Sequence, residues 1–307
     1  MGLKPRMDEL LELRHQAHAM GLASNHLVSS ALTGLYASVF RGQGLDFEEV
    51  RDYREGDDIR NIEWKVTART GQAHVKLFRE ERERTVIVSV DQGPHMSFGT
   101  RGTYKSVQAA RAAALLGWAA SSHHDRVGGV TYGTSGDGVR HFQPTRDRRG
   151  LWRLLRALSE PEEAGEPEPQ ALLKALERMA RGVPRGALIF MLGRFDQADT
   201  EGLRRGLALL SQRHDVVMLP VDDPADWHIP AMGRVAFAAP DGSLVEVDTD
   251  DEGARARYRQ RWEERRQTLQ GVAHGAGAWL LPLRTDEDVH LGLKRGLRQR
   301  ARARQHR

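Results

Sequence analysis

The 307-residue sequence contains no cysteine. That excludes disulfides, thiolate zinc sites, iron–sulfur clusters and cysteine nucleophiles, and makes the cytoplasm the expected compartment. Long apolar runs are missing too, since none approaches the ~20 residues that span a bilayer. The first twenty residues have no continuous apolar core and carry acidic side chains, so they do not read as a signal peptide. Arg6 stands where a myristoylation motif requires Ser or Thr. Aromatic residues are only 6% of the chain, and no stretch interleaves them with basic residues as a nucleic-acid-strand surface would. Nor does one sign of charge dominate: 29% of residues are charged, yet the formal net charge is only +4. The surplus gathers in Lys294–Arg307, which has no acidic residue. This stretch reads as a solvated helix end, where cations suit the C-terminal dipole. Contact with nucleic acid or an acidic partner is the alternative.

The pattern that is present is an alternation of strands and helices. Residues 7–20 form an amphipathic helix. From Arg41 to Arg84 dense charges of both signs accompany alternating stretches, which predicts a small β-rich unit with turns at Gly42–Gly44, Glu55–Asp57 and Thr70–Gly71. The apolar run Thr85–Val90 then ends on one aspartate, Asp91, before a loop containing glycine and proline. A short β-branched run of this kind is expected as a strand buried on both faces, and ligands of open α/β sheets bind beyond the carboxyl ends of such strands. Strands are expected at 126–132, 139–142, 187–192, 215–221, 244–248 and 278–283. Helices are expected at 104–120, 147–158, 170–181, 199–213, 252–270 and 286–300. The acidic, proline-rich stretch Glu160–Pro169 interrupts them as a loop. The alternation implies a doubly wound, Rossmann-like α/β fold with a mainly parallel sheet. The expected organisation is 1–82 for the N-terminal helix and β-rich unit, 83–300 for the α/β domain, and 301–307 for a basic tail.

Several motifs approach a known chemistry without reaching it. Gly99–Ser106 resembles a phosphate loop, but glycine does not precede Lys105. Asp248–Gly253 opens like a calcium loop, yet Arg259 stands where the bidentate glutamate belongs. Asp248 therefore reads as a strand end, with Asp250 and Asp251 serving the next helix's N-terminus. His123, His124 and Asp125 occupy a helix-to-strand turn, and adjacent histidines seldom aim at one metal. Asp57 and Asp58 point to opposite faces if extended, which suits pairing with Arg51, Arg54 or Arg60 better than acid–base work. No nucleophile elbow, zincin motif or dinucleotide fingerprint is present.

One stretch carries a resemblance. Gly44–Asp91 resembles the signature of a large prokaryotic family known only as a domain of unknown function, number fifty-eight, which is similar to von Willebrand factor A-type domains. The matching residues are Arg51, Tyr53, Gly56, Asp57, Asp58, Arg60, Ile62, Glu63, Trp64, Ala68 and Arg69. The resemblance extends over roughly residues 20–300. It implies an A-type fold and partnership with a MoxR-type AAA+ ATPase, as a non-catalytic adaptor with no cofactor of its own. Many A-type domains hold a divalent cation through Asp-x-Ser-x-Ser, a threonine and a second aspartate. Here Asp91 is kept, but Gly93 and His95 replace the serines, Gln170 replaces the threonine and Arg194 replaces the second aspartate. The resemblance therefore implies a degenerate, metal-free site in which the Arg194 guanidinium pairs with Asp91. The alternative is that Asp196 or His95 restores a site for a softer metal.

The leading functional reading is thus a protein-binding scaffold or adaptor. The competing readings are a metal-dependent hydrolase using Asp91 and nucleic-acid binding through the basic tail.

Overall fold

The uncharged run between Thr85 and Asp91 forms the central strand of the main sheet. The computed structural model describes residues 4–19, 44–54, 57, 59, 62–81, 84–134, 138–160, 170–195, 199–238 and 243–305. The chain divides into two compact units, Phe40–Arg84 and the remainder.

In the larger unit, β3 (Thr85–Asp91) lies parallel between β4 (Arg126–Tyr132) and β6 (Leu188–Gly193), with Asp91 opposite Tyr132. β7 (Asp215–Asp222) extends the sheet beyond β6, and β5 (Val139–Thr145) closes the other edge antiparallel to β4. With a short edge strand β10 (Trp279–Leu280), the strand order is β10-β7-β6-β3-β4-β5. Val86, Ile87, Val88 and Val90 are essentially inaccessible, which is why this strand carries β-branched residues on both faces.

Ile87 faces a core shared with α5 (Ala171–Gly182), α6 (Thr200–Ser211) and the end of α7 (Glu252–Gly275), through Leu176, Leu207 and Val272. The opposite face is covered by α3 (Lys105–Ser122) and α4 (Arg149–Ser159). The alanines of α3 are fully buried, and their small size lets the helix lie close on the sheet. α8 (Val289–Gln305) packs beside α3. The fold is mixed α/β with a mainly parallel, doubly wound sheet.

Five expectations need correction. The strand at 244–248 does form, as β9 (Leu244–Asp248), but it pairs with β8 (Arg234–Ala238) in a separate antiparallel hairpin. Its alternation marks it as a strand without specifying a partner. The strand expected at 278–283 is split into β10 (Trp279–Leu280) and β11 (Leu283–Arg284), both paired with β7. Pro282 lies between them and has no N–H for the ladder, which an edge strand tolerates. The N-terminal helix, α1 (Met7–Ala19), packs on α3 rather than belonging with the β-rich segment. The Trp118 indole donates to the Leu10 carbonyl at 2.9 Å, and Leu10 and Ala17 are buried. The tail does not begin a separate segment at residue 301, because α8 continues through it to Gln305.

The fifth correction concerns the unit Phe40–Arg84. β1 (Gly44–Asp52) and β2 (His74–Glu81) form its antiparallel pair, but the alternation expected to continue past residue 62 gives way to a helix, α2 (Trp64–Thr70). Glu63 caps this helix by accepting the Lys65 N–H, and Gly71 ends it with φ +73. Only glycine adopts that conformation without cost.

Candidate functional site at the carboxyl edge of the sheet

The chain runs from β3 outward through β4 and β5, then returns to build β6 and β7 on the other side. The topological switch point is therefore the crevice between β3 and β6, where open α/β sheets place ligands. Asp91 stands there, 2% exposed. Its Oδ1 accepts the Gly93 N–H at 2.9 Å, and its Oδ2 lies 2.8 Å from His95 Nε2. The Arg194 N–H adds a longer contact to Oδ2, at 3.4 Å. Arg194 thus reaches Asp91 through its backbone, and His95 occupies the place expected for the guanidinium. A 3₁₀ turn, Pro94–Met96, carries His95 back over the carboxylate.

The crevice is tightly built. A Cβ on Gly193 would lie 2.6 Å from Asp91 Cβ and 2.8 Å from the Tyr132 hydroxyl, so only glycine fits. That hydroxyl is buried and has no hydrogen-bond partner among the described residues. Burial and the nearby Asp91 push its pKa well above the ordinary value, so the phenol is neutral.

An A-type cation site needs several oxygen donors around an open position. Here both Asp91 oxygens face nitrogen donors, and the flanking positions are Gly93, His95 and Arg194. These residues do not fit a magnesium or manganese ion. Among the described residues no cluster of three or more His, Asp or Glu is placed to hold a metal. Gln170 is exposed at the start of α5 and makes no side-chain cap to that helix. Asp196 lies outside the described residues.

A second group, which no sequence motif marks, converges at the end of β7. Asp222, Asp223 and Asp226 follow one another around a 3₁₀ turn, Pro224–Asp226. Asp223 is fully buried and accepts from the Thr100 N–H at 2.8 Å and the Thr285 hydroxyl at 2.6 Å. Burial would raise its pKa, but these donors outweigh that and hold the carboxyl below its usual range. Lys105, 1% exposed, grips Asp226 with Nζ at 2.8 and 2.7 Å from its two oxygens. Asp222 pairs with Arg266, yet burial keeps its pKa raised. The segment resembling a phosphate loop is therefore a strap, pinned by Thr100 and Lys105 to acidic residues more than a hundred positions away. The available signal was three carboxylates at the end of a buried strand.

The signature residues form a bonded ring in the smaller unit. Arg51 holds Asp57 with two parallel contacts of 2.8 Å, and Asp57 also accepts the Arg54 N–H at 2.8 Å. These donors lower the Asp57 pKa, Arg51 foremost. Tyr53 N–H donates to the Ala73 carbonyl, and Glu63 N–H to the His74 carbonyl. Trp64 is 69% exposed, and Arg69 is exposed in the last turn of α2. Gly56, Asp58 and Arg60 lie outside the described residues.

In the calcium-like stretch, Asp251 caps α7 by accepting the Ala254 N–H. Asp250 instead accepts the Gly233 N–H at 3.1 Å. Among the described residues no helix is long and apolar enough to cross a membrane.

Comparison with known proteins places these features in a lineage. The chain is 27% identical to "Uncharacterized protein Rv1480" of Mycobacterium tuberculosis (strain H37Rv), over 85% of this chain and 81% of that one. It has the same identity and coverage with "Uncharacterized protein Mb1516" of Mycobacterium bovis. Among solved structures it is similar to the conserved hypothetical protein BatB of Bacteroides thetaiotaomicron, with a TM-score of 0.39 and 14% identity over 71% of this chain and 99% of that one. It is also similar to a von Willebrand factor type A structure from Catenulispora acidiphila, with a TM-score of 0.41 and 10% identity over 73% of this chain and 43% of that one. The family model described as "Protein of unknown function DUF58" matches residues 49–268, well over half of the sequence. The chain belongs to that family.

Proposed function

We propose that this protein is a non-catalytic, cytoplasmic binding scaffold that works as an adaptor of a MoxR-type AAA+ ATPase, with the Asp91 site metal-free. The observation that carries the reading is the state of Asp91. Both of its oxygens are engaged by donors from Gly93, His95 and the Arg194 backbone. A carboxylate so committed offers little to a cation or a substrate. The scaffold role is also supported by Trp64, a large aromatic left 69% exposed within the family signature. Tryptophan is enriched among the residues that anchor protein interfaces.

The test is recovery of partners from native lysate by the tagged full chain, with and without ATP. Nucleotide-dependent recovery of an AAA+ ATPase is expected. Recovery of other proteins with no ATPase, under either condition, overturns the adaptor assignment.

One observation favours a second reading, hydrolysis. Asp91 orients His95, which is half of an acid–base relay. That reading requires a hydroxyl or water held by the remaining ring nitrogen of His95, and no side-chain hydroxyl among the described residues bonds to it. Hydrolysis of ester or phosphoester substrates that is abolished by His95→Gln would establish it.

A further inference from the structure

The outer face of α4 is a stripe of arginines around one tryptophan. The helix buries Leu151, Leu154, Leu155 and Leu158 on its inner side. Its period therefore turns Arg149, Trp152, Arg153 and Arg156 outward, at i, i+3, i+4 and i+7. Trp152 is 46% exposed. Arg148, the residue before the helix, is exposed as well. Cations at this end gain nothing for the helix itself, because its N-terminus is the positive end of the dipole and Arg148 makes no side-chain cap. Two of the arginines have carboxylates: Arg149 pairs with Asp147 at 3.3 Å, and Arg156 with Glu160 at 3.1 Å. Both pairs leave more than half of each side chain in water, and such pairs contribute little and are exchanged at little cost. Arg153 commits its Nε–H to the Arg149 carbonyl at 3.3 Å. Neither Arg153 nor Arg148 forms a salt bridge among the described residues.

We infer that this stripe docks an acidic amphipathic helix of a partner protein, with carboxylates one turn apart and an apolar side chain among them. This deepens the scaffold reading and rests on it, by assigning the chemistry of the partner. The pitch supplies the match. Arg149, Arg153 and Arg156 recur about once per ~5.4 Å turn, and glutamates at the same spacing on a facing helix meet them one by one. The guanidinium fork binds a carboxylate through two parallel bonds. An apolar side chain between those glutamates covers the Trp152 indole, and tryptophan and arginine are both enriched among interface anchors. The neighbouring element disfavours a wider polyanion. α1 packs beside α4 and carries Asp8, Glu9 and Glu12, so a nucleic-acid duplex, broader than one helix, would cover carboxylates along with the arginines. A single strand stacks successive bases on successive aromatic rings, and the stripe has one. A membrane surface takes up an apolar helix face, and the leucines of α4 are committed to the core.

The test uses the purified full chain and a synthetic helical peptide, two copies of Glu-Ala-Ala-Leu-Glu-Ala-Ala-Glu, with counterparts carrying Gln or Lys at every Glu position. Binding is followed through the indole N–H resonance of Trp152, assigned with a Trp152→Phe variant. The Glu peptide is expected to saturate and to bind at least about tenfold more tightly than the Gln peptide, as several weak pairs acting together. Its affinity is expected to fall as salt rises. Arg148→Glu combined with Arg153→Glu is expected to lose the Glu peptide and to gain the Lys peptide, a reversal that a folding defect cannot produce. Arg298→Glu, at an exposed arginine of α8, is expected to leave binding of the Glu peptide unchanged. Equal binding of the Glu and Gln peptides, no saturation, or an equal loss in Arg298→Glu overturns the inference. So does tighter binding of a single-stranded oligonucleotide or of phosphatidylserine vesicles at the same resonance. Because the probes involve no ATPase, these outcomes are independent of the lysate experiment. ATPase recovery without peptide binding removes this inference alone.

Discussion

His95 Nε2 and Asp91 Oδ2 meet at 2.8 Å at the end of the central strand, where an A-type domain would hold its cation. The histidine arrives from a 3₁₀ turn four residues on, so the contact is local and needs no distant element to form it. It turns an aspartate at the switch point of the sheet into part of the internal bonding.

Removing this contact should therefore be a stability effect. His95→Ala deprives a 2%-exposed carboxylate of one donor. The expected cost is about 1–3 kcal/mol, read as a lower urea midpoint with an unchanged slope. His95→Gln, which keeps a donor, is expected to recover part of it.

Gly193→Ala tests how closely the crevice is packed. The new Cβ would meet Asp91 and Tyr132 at 2.6 and 2.8 Å, and both are held by the sheet. The expected loss is about 1–3 kcal/mol, measured by the same denaturation. An unchanged midpoint would mean the crevice relaxes freely.

At the β7 end, Lys105→Met leaves Asp226 without its buried cation. Breaking such a pair from one side costs about 3–5 kcal/mol. The double variant Lys105→Met with Asp226→Asn is expected to lose less than Lys105→Met alone. A double-mutant cycle by urea unfolding reads the coupling.

Three histidines set a pH dependence. Burial lowers the pKa of His141, His214 and His290 below the ordinary 6.5, with Arg213 adding to the effect at His214. Both ring nitrogens of His214 are buried and have no partner among the described residues. The unfolded chain therefore binds protons first. The stability is fully present above pH 6.5 and falls as the pH drops through that value toward the lower folded pKa values. Urea midpoints between pH 8 and pH 5 should decline, and His214→Leu should flatten the decline.

Arg51→Lys tests the signature ring. Lysine replaces the paired contact to Asp57 with a single charge. Faster amide exchange is expected at Tyr53 and Glu63, whose N–H groups close the same hairpin. Because Arg51 depresses the Asp57 pKa, the wild-type ring should persist as the pH falls past 3.8 and open only near the lower folded value.

The sheet was largely legible because its signals are local. Thr85–Val90 and Val216–Val221 are uncharged runs rich in β-branched residues, and the alanines of α3 announce a helix lying close on a sheet. Residues 64–70 were not legible. Trp64, Val66, Thr67 and Thr70 favour strands, and the helix depends on its Glu63 cap and on the Thr67 hydroxyl accepting the His74 N–H. β9 reads as a strand, but its partner β8 is chosen by tertiary context. Of the candidate site, Asp91 could be placed from the end of its strand, and Gly93 and His95 followed. The Asp223–Thr100–Thr285 and Lys105–Asp226 contacts join loops far apart in sequence, and no local pattern encodes them. The contact from Arg194 to Asp91 runs through its backbone N–H, and residue identity alone does not reveal whether backbone or side chain turns inward.

Both oxygens of Asp91 are engaged by groups of the protein itself. Thermal unfolding of the full chain in EDTA, and then across micromolar to millimolar manganese or magnesium, tests this most directly. A ligand at a hundred times its Kd stabilises by about 2.7 kcal/mol, which is well within detection. The unfolding temperature is expected to be the same throughout. Saturable stabilisation at micromolar metal that disappears in Asp91→Asn would contradict it.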